Sequence, residues 1–149
     1  MTAYSTGLAL DLLAVARGLR HAETNRLFSE QHVLDDEEGP SASFLRVGIE
    51  LADGARISNL ANPHRHLASL NQAPEGPLLV PSGGGGGSSG MGRVTMNPGY
   101  WLWPLPPPGP LHVFVEWPAL DVALAQVELD AEPLVGAARR SQKLWTEPE

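Results

Sequence analysis

The chain has 149 residues, of which 42% are hydrophobic and 18% charged, a composition that excludes a disordered acidic chain and a coiled coil. Sixteen glycines and fourteen prolines argue against a helical bundle and favour strands joined by turns. The net charge of −7 gives no overall attraction for nucleic acid or anionic membranes, so neither is predicted as a partner. The absence of cysteine excludes thiolate chemistry and is typical of a cytoplasmic protein.

The residues Gly7–Gly18 could form a short helix, but the flanking glycines and a partial alternation of apolar residues favour a strand, which we predict as the first element. Asp11 interrupts this apolar run and no basic residue precedes it, so we expect no secretory signal peptide. Residues 19–42 are polar and include the acidic run 35–38. We predict that the acidic run, within Asp35–Pro40, is a solvated loop.

The clearest local pattern predicts a β-hairpin. Apolar and polar residues alternate over 44–51, and a second short run follows at 55–60. A type I turn with Gly54 in the left-handed conformation keeps the apolar residues of both runs on one face. The predicted cross-strand pairs are Leu51 with Ala55, Ile49 with Ile57, and Glu50 with Arg56.

Residues 61–98 have the weakest pattern and are predicted to form a flexible Gly/Pro-rich loop. Scattered prolines preclude a long helix, and an unbroken glycine run occupies Gly83–Gly87. The lysine of a phosphate-binding Walker loop is missing and no helix is predicted to follow. The tract therefore predicts no nucleotide site, and we predict no cofactor.

Three further strands are predicted at 100–103, 111–117 and 123–129, and Asp130 suits the start of one short helix. Pro104–Pro110 is predicted to be a stiff polyproline-type hairpin connection between the first two of these strands. The residues predicted to share the core-facing sides are Leu111, Val113, Val115 and Trp117 on the second strand, and Ala123, Ala125, Val127 and Leu129 on the third.

These elements predict a single domain over 1–149 that is mostly β. Short alternating strands separated by Gly/Pro turns favour an antiparallel β-sandwich of the Ig-like or jelly-roll-like kind. One short C-terminal helix completes it. The alternation disfavours a parallel sheet, whose strands are buried on both faces.

Four stretches in this order resemble a family of uncharacterised actinobacterial proteins. They are the segments 52–56, 83–90, 101–111 and 114–120, of which the third reads Trp-Leu-Trp-Pro-Leu-Pro-Pro-Pro-Gly-Pro-Leu and the fourth contains Glu-Trp-Pro-Ala. The matching region spans residues 44–130. The resemblance implies a soluble, cytoplasmic, mostly β protein and brings no known activity and no catalytic residue.

His64 and His66 are the candidate metal ligands. In an extended segment two residues of this spacing point the same way, and paired imidazoles can begin a zinc or nickel site. His112 or Glu116 could complete it from another strand. The alternative interpretation is two exposed loop histidines, because no third ligand stands at motif spacing.

Aromatic and proline residues predict a contact surface. Trp101 and Trp103 share one face of their strand, and exposed aromatic side chains beside a stiff proline segment can bind a protein or a sugar. They could equally pack beneath the long loops. The predicted interaction surface consists of Tyr100, Trp101, Trp103, Pro106, Pro107 and Pro108.

The sequence contains no Ser/His/Asp arrangement typical of a hydrolase, and no catalytic residue is predicted. The leading hypothesis is a non-catalytic module that contacts another protein or its own copies. A phage or shell structural protein would have the same composition. The alternative is a metal-dependent hydrolase or a small-molecule-binding β domain that uses His64 and His66.

Overall fold

A computed structural model describes residues 1–30, 34–35, 39–60, 76–82, 86–90 and 92–142. These residues form antiparallel strands and two α-helices. The strands are β1 (Thr2–Tyr4), β2 (Gly7–Asp11), β3 (Ala14–Arg17), β4 (Leu34–Asp35), β5 (Gly39–Pro40), β6 (Arg46–Glu50), β7 (Arg56–Ser58), β8 (Leu78–Pro81), β9 (Gly86–Gly90), β10 (Arg93–Asn97), β11 (Gly99–Trp103), β12 (Pro110–Trp117) and β13 (Val122–Asp130). The helices are α1 (His21–Ser29) and α2 (Glu132–Ala138).

The strands form three sheets and a small β4–β5 pair. Sheet I has the order β1-β2-β11-β8, sheet II has β13-β12-β6-β7, and sheet III has β3-β10-β9. Buried side chains from all three sheets join one hydrophobic core, and these include Leu8, Leu10 and Leu102 of sheet I, Val47, Ile49 and Leu111 of sheet II, and Val94 and Met96 of sheet III. The predicted mostly β, antiparallel sandwich with a short C-terminal helix is confirmed.

Sheets I and III are two parts of one long ladder. β2 pairs with β11 and β3 pairs with β10. The register is unchanged across a break at Pro98, which has no backbone N–H to donate to the ladder. The pairs that flank this break are Gly99 with Asp11 and Met96 with Ala14. The predicted first strand is therefore present, but it is divided between two sheets.

The predicted hairpin between β6 and β7 is confirmed in its register. Leu51 N donates to Ala55 O at 2.9 Å, and Gly54 has a positive φ of 83°, which a glycine adopts without steric cost. The observed pairs include Ile49 with Ile57 and Glu50 with Arg56. Alternating burial along β6 shows that the period-two pattern determined the register.

The loop predicted at about 61–98 is wrong in part. Strands β8, β9 and β10 lie within this stretch, while residues 61–75 lie outside the described residues. The serine/glycine residues of β9 pair along the whole of β10, so β10 holds in place a strand with low intrinsic β-propensity.

Helix α1 lies in the polar stretch 19–42, where the sequence predicts no helix. It has few apolar residues and therefore no clear helical period, although Leu27 packs in the core.

Helix α2 is shorter than the run of apolar and basic residues that predicted it. The helix cap is Ala131, so the prediction of Asp130 as the cap is wrong by one residue, although Asp130 Oδ1 accepts a hydrogen bond from Glu132 N at 2.9 Å. The helix buries Val135 and Ala138 and ends at Ala138. Short helices depend on tertiary packing, so it ends with its last buried residue.

Asn59 connects sheet II to sheet I in the interior. Its side chain is 4% exposed and accepts a hydrogen bond from Val47 N at 2.8 Å. Its amide nitrogen donates to Leu45 O at 2.8 Å and to Tyr100 Oη at 3.1 Å. Burial raises the pKa of the Tyr100 hydroxyl above its usual range, and the Asn59 bond opposes this rise. A single amide therefore satisfies polar groups from two sheets.

Candidate interaction surface

The structure divides the predicted aromatic surface between the interior and the exterior. Tyr100 is 5% exposed and Pro106 is also buried, so their assignment to a contact surface is wrong. The alternation of β11 directs Tyr100 and Leu102 into the core and leaves Trp101 and Trp103 half-buried on the outer face of sheet I. Pro107 is half-buried and Pro108 is exposed.

Trp101 lies on the outer face of sheet I beside Gly7. A Cβ atom added to Gly7 would collide first with the Leu102 carbonyl oxygen and would also stand 2.7 Å from Trp101 Cζ2, so both the backbone and the indole require a glycine here. The ring of Tyr4 packs against the same indole, with centroids 5.4 Å apart and planes tilted by 60°. Sheet I therefore carries a small aromatic patch of Tyr4, Trp101 and Trp103, and Tyr4 is not among the residues predicted for an interaction surface.

The proline-rich segment joins two sheets. β11 belongs to sheet I and β12 to sheet II, so residues 104–109 cross between the layers and do not form the predicted hairpin connection. Ala131 N donates to Gly109 O at 2.9 Å, which ties the end of this segment to the residue after β13.

The most exposed apolar element in the described chain is the edge strand β13. It is the outermost strand of sheet II, and its nine residues make it the longest edge strand described. Only Leu129 is partly buried, while Leu124 is 67% and Val127 is 51% exposed. The prediction that Ala125 and Val127 face a common core is wrong. β13 lies at the edge of sheet II, beyond the side chains that fill the core.

The backbone of β13 has an open side. Ala131 N donates to Gly109 O, and this pair continues the register in which Leu129 opposes Leu111. Because hydrogen-bonding direction alternates along an antiparallel strand, residues 125, 127 and 129 of β13 bond to β12. The register shifts by one residue between this part of β13 and Val122, which is paired with Trp117. The N–H and C=O groups of Gln126 and Glu128 consequently point away from sheet II. Such an unpaired edge is a template for another strand.

The outer face of sheet II is polar where the strands pair. His112 Nε2 lies 3.1 Å from Glu128 Oε2, and His112 Nδ1 lies 4.0 Å from Glu50 Oε1. Arg56 pairs with Glu50 on the neighbouring strand. These groups form one charged row across the four strands, so the acidic residues of this face have basic neighbours.

The metal hypothesis finds no site in the described part of the chain. His64 and His66 lie outside the described residues. Glu116, a candidate third ligand, forms an ion pair with Arg46 at 2.7 Å. Across the described ranges no group of three or more His, Asp or Glu side chains is arranged to hold a metal ion.

The chain matches no protein-family model, no curated protein and no solved structure. The resemblance to actinobacterial proteins stays a prediction. None of the helices described is both long and apolar enough to cross a membrane.

Proposed function

We propose that this protein is a non-catalytic assembly module in which two copies join their β13 edges into one continuous sheet. The observation that supports this is the combination of outward backbone groups and exposed apolar side chains on one long edge strand. Strand addition satisfies the backbone groups, and the side chains on either face supply apolar contacts. The cysteine-free composition is consistent with assembly in the cytoplasm.

An antiparallel pairing about a two-fold axis at Gln126 fits the strand. It places the nine residues of each copy opposite one another, with the register shift between Val122 and Ala125 lying toward each end of the paired region. Glu128 then lies opposite the partner's Leu124, so no carboxylate opposes another. Val127 lies opposite the partner's Ala125. These apolar side chains, which are exposed to water in the monomer, then contact each other between the two strands. The same strand thus presents a self-complementary surface, as a two-fold interface requires.

The distribution of charge along β13 favours pairing with a second copy of the chain over pairing with an unrelated acidic segment. The acidic residues Glu128 and Asp130 stand at one end of β13, and the other end is apolar. Antiparallel self-pairing places each acidic end beside an apolar end. Charge repulsion between two chains of net charge −7 acts at longer range and is screened by salt.

The molar mass of the protein in solution tests this proposal. Sedimentation equilibrium between about 1 and 100 µM is expected to show a monomer–dimer equilibrium for the unmodified chain. Leu124→Glu places a carboxylate opposite the partner's Glu128 and is expected to weaken the dimer by about tenfold or more.

The matched control is Leu13→Glu. Leu13 is 70% exposed, as accessible as Leu124, but it lies between β2 and β3, away from the β13 edge. It should leave the dissociation constant unchanged. A chain that stays monomeric over the whole range, or two variants with equal effects, would contradict the proposal.

A further inference from the structure

Two arginines face each other across sheet III. Arg17 at the end of β3 is paired with Arg93 at the start of β10. Gly18 N donates to Gly92 O at 2.8 Å, so the adjacent Arg17–Arg93 pair is of the non-hydrogen-bonded type. In such pairs the side chains start closest together, with Cβ atoms about 4.5–5.5 Å apart. Two like charges in this position destabilise the sheet unless an anion joins them.

Neither arginine is neutralised by the described part of the protein. The other β-strand arginines of the described chain form ion pairs, Arg46 with Glu116 and Arg56 with Glu50. No carboxylate among the described residues forms an ion pair with Arg17 or Arg93. In a chain of net charge −7, this makes the end of sheet III a local positive site.

Hydroxyl groups complete the site. Thr95 lies two residues after Arg93 on the same face of β10, and Ser88 of β9 is paired with Thr95. Both arginines and both hydroxyl residues line one open cavity of about 900 Å³. Glycines at its rim lack side chains that would restrict access, and Gly90 has no neighbour within 4 Å of an added Cβ.

From this geometry we propose that Arg17, Arg93, Thr95 and Ser88 form a binding site for a phosphate group, either free or carried by a small organic molecule. Guanidinium groups bind phosphate oxygens through paired, charge-assisted hydrogen bonds, and hydroxyls donate to the remaining oxygens. The site does not resemble the nucleotide loops considered from the sequence. It uses side chains of three neighbouring strands, and not a glycine-rich turn before a helix.

A titration with inorganic phosphate tests the site. Amide NMR shifts of Gly18 and Gly92 report the arginine pair directly, and sodium chloride at equal ionic strength removes the general effect of salt. We expect saturable shifts with phosphate. Arg17→Gln and Arg93→Gln should each weaken the affinity at least tenfold, while Arg139→Gln, which removes an equal charge from the end of α2, should leave it unchanged.

Arg17→Glu separates binding from stability. It converts the like-charged pair to an opposite-charged one, so the variant should be at least as stable as the unmodified chain without phosphate and should lose the phosphate response. A second titration with glycerol phosphate distinguishes the sources: tighter binding than inorganic phosphate assigns an organic ligand, and equal binding assigns the free anion. Absence of saturable shifts, or equal affinity in Arg17→Gln and Arg139→Gln, would overturn the proposal.

Discussion

Asn59→Ala is expected to lower the free energy of unfolding by about 3 kcal/mol, because it leaves buried polar groups without their partner. The Val47 N–H loses its acceptor at 2.8 Å, and Tyr100 Oη loses the donor that links the two sheets. A domain of this kind has only about 5–15 kcal/mol of net stability, so the loss is a large part of the total. Urea denaturation with linear extrapolation measures it.

Two controls separate this network from a general effect of asparagine removal. Asn97→Ala changes an exposed asparagine of β10 and should alter stability by less than about 0.5 kcal/mol. Tyr100→Phe removes only one of the Asn59 bonds and should cost about 1 kcal/mol. If Asn59→Ala lowered the free energy of unfolding as little as Asn97→Ala, the Asn59 hydrogen bonds between the two sheets would not contribute to stability.

Gln126→Pro is expected to weaken dimerisation by about a hundredfold or more, equivalent to roughly 3 kcal/mol. In the proposed dimer the two Gln126 residues at the two-fold axis would exchange their backbone N–H···O bonds, and proline would remove both donors and leave both acceptors unpaired. Because this N–H points away from β12, the substitution keeps the ladder inside sheet II. Sedimentation equilibrium gives the dissociation constant.

Gln126→Ala is the matched control, since it removes the same side chain and retains the N–H. It should dimerise nearly as the unmodified chain does. Circular dichroism and the unfolding midpoint establish that Gln126→Pro remains folded. A folded proline variant with unchanged dimerisation would show that the edge of β13 does not form the interface.

The sequence predicts well those parts of the fold in which neighbouring residues allow only one backbone conformation and one strand register. In the β6–β7 hairpin, the alternation of Val47 and Ile49 and the left-handed residue Gly54 together allow one register, and that register is observed. The strand at 111–117 was similarly predicted, and Leu111 and Trp117 are buried as expected.

Long-range pairing explains most of what could not be predicted. β9 is a strand because it pairs with β10, and its glycines and serines carry no strand signal of their own. Val127 has the alternation of a buried residue but lies on an edge beyond the core, a position that periodicity alone does not reveal. The Arg17–Arg93 pair depends on a ladder between residues far apart in the chain.

The most direct test of β13 pairing uses the absence of cysteine from the chain. In the proposed dimer Ala125 of one copy lies opposite Val127 of the other in a non-hydrogen-bonded pair, the type whose side chains lie closest and best suit a disulfide. The double variant Ala125→Cys, Val127→Cys, oxidised under mild conditions, is expected to give a covalent dimer at protein concentrations where Leu13→Cys, an exposed substitution away from β13, remains monomeric. Equal cross-linking in the two variants, or none in the double variant, would contradict the paired-edge account.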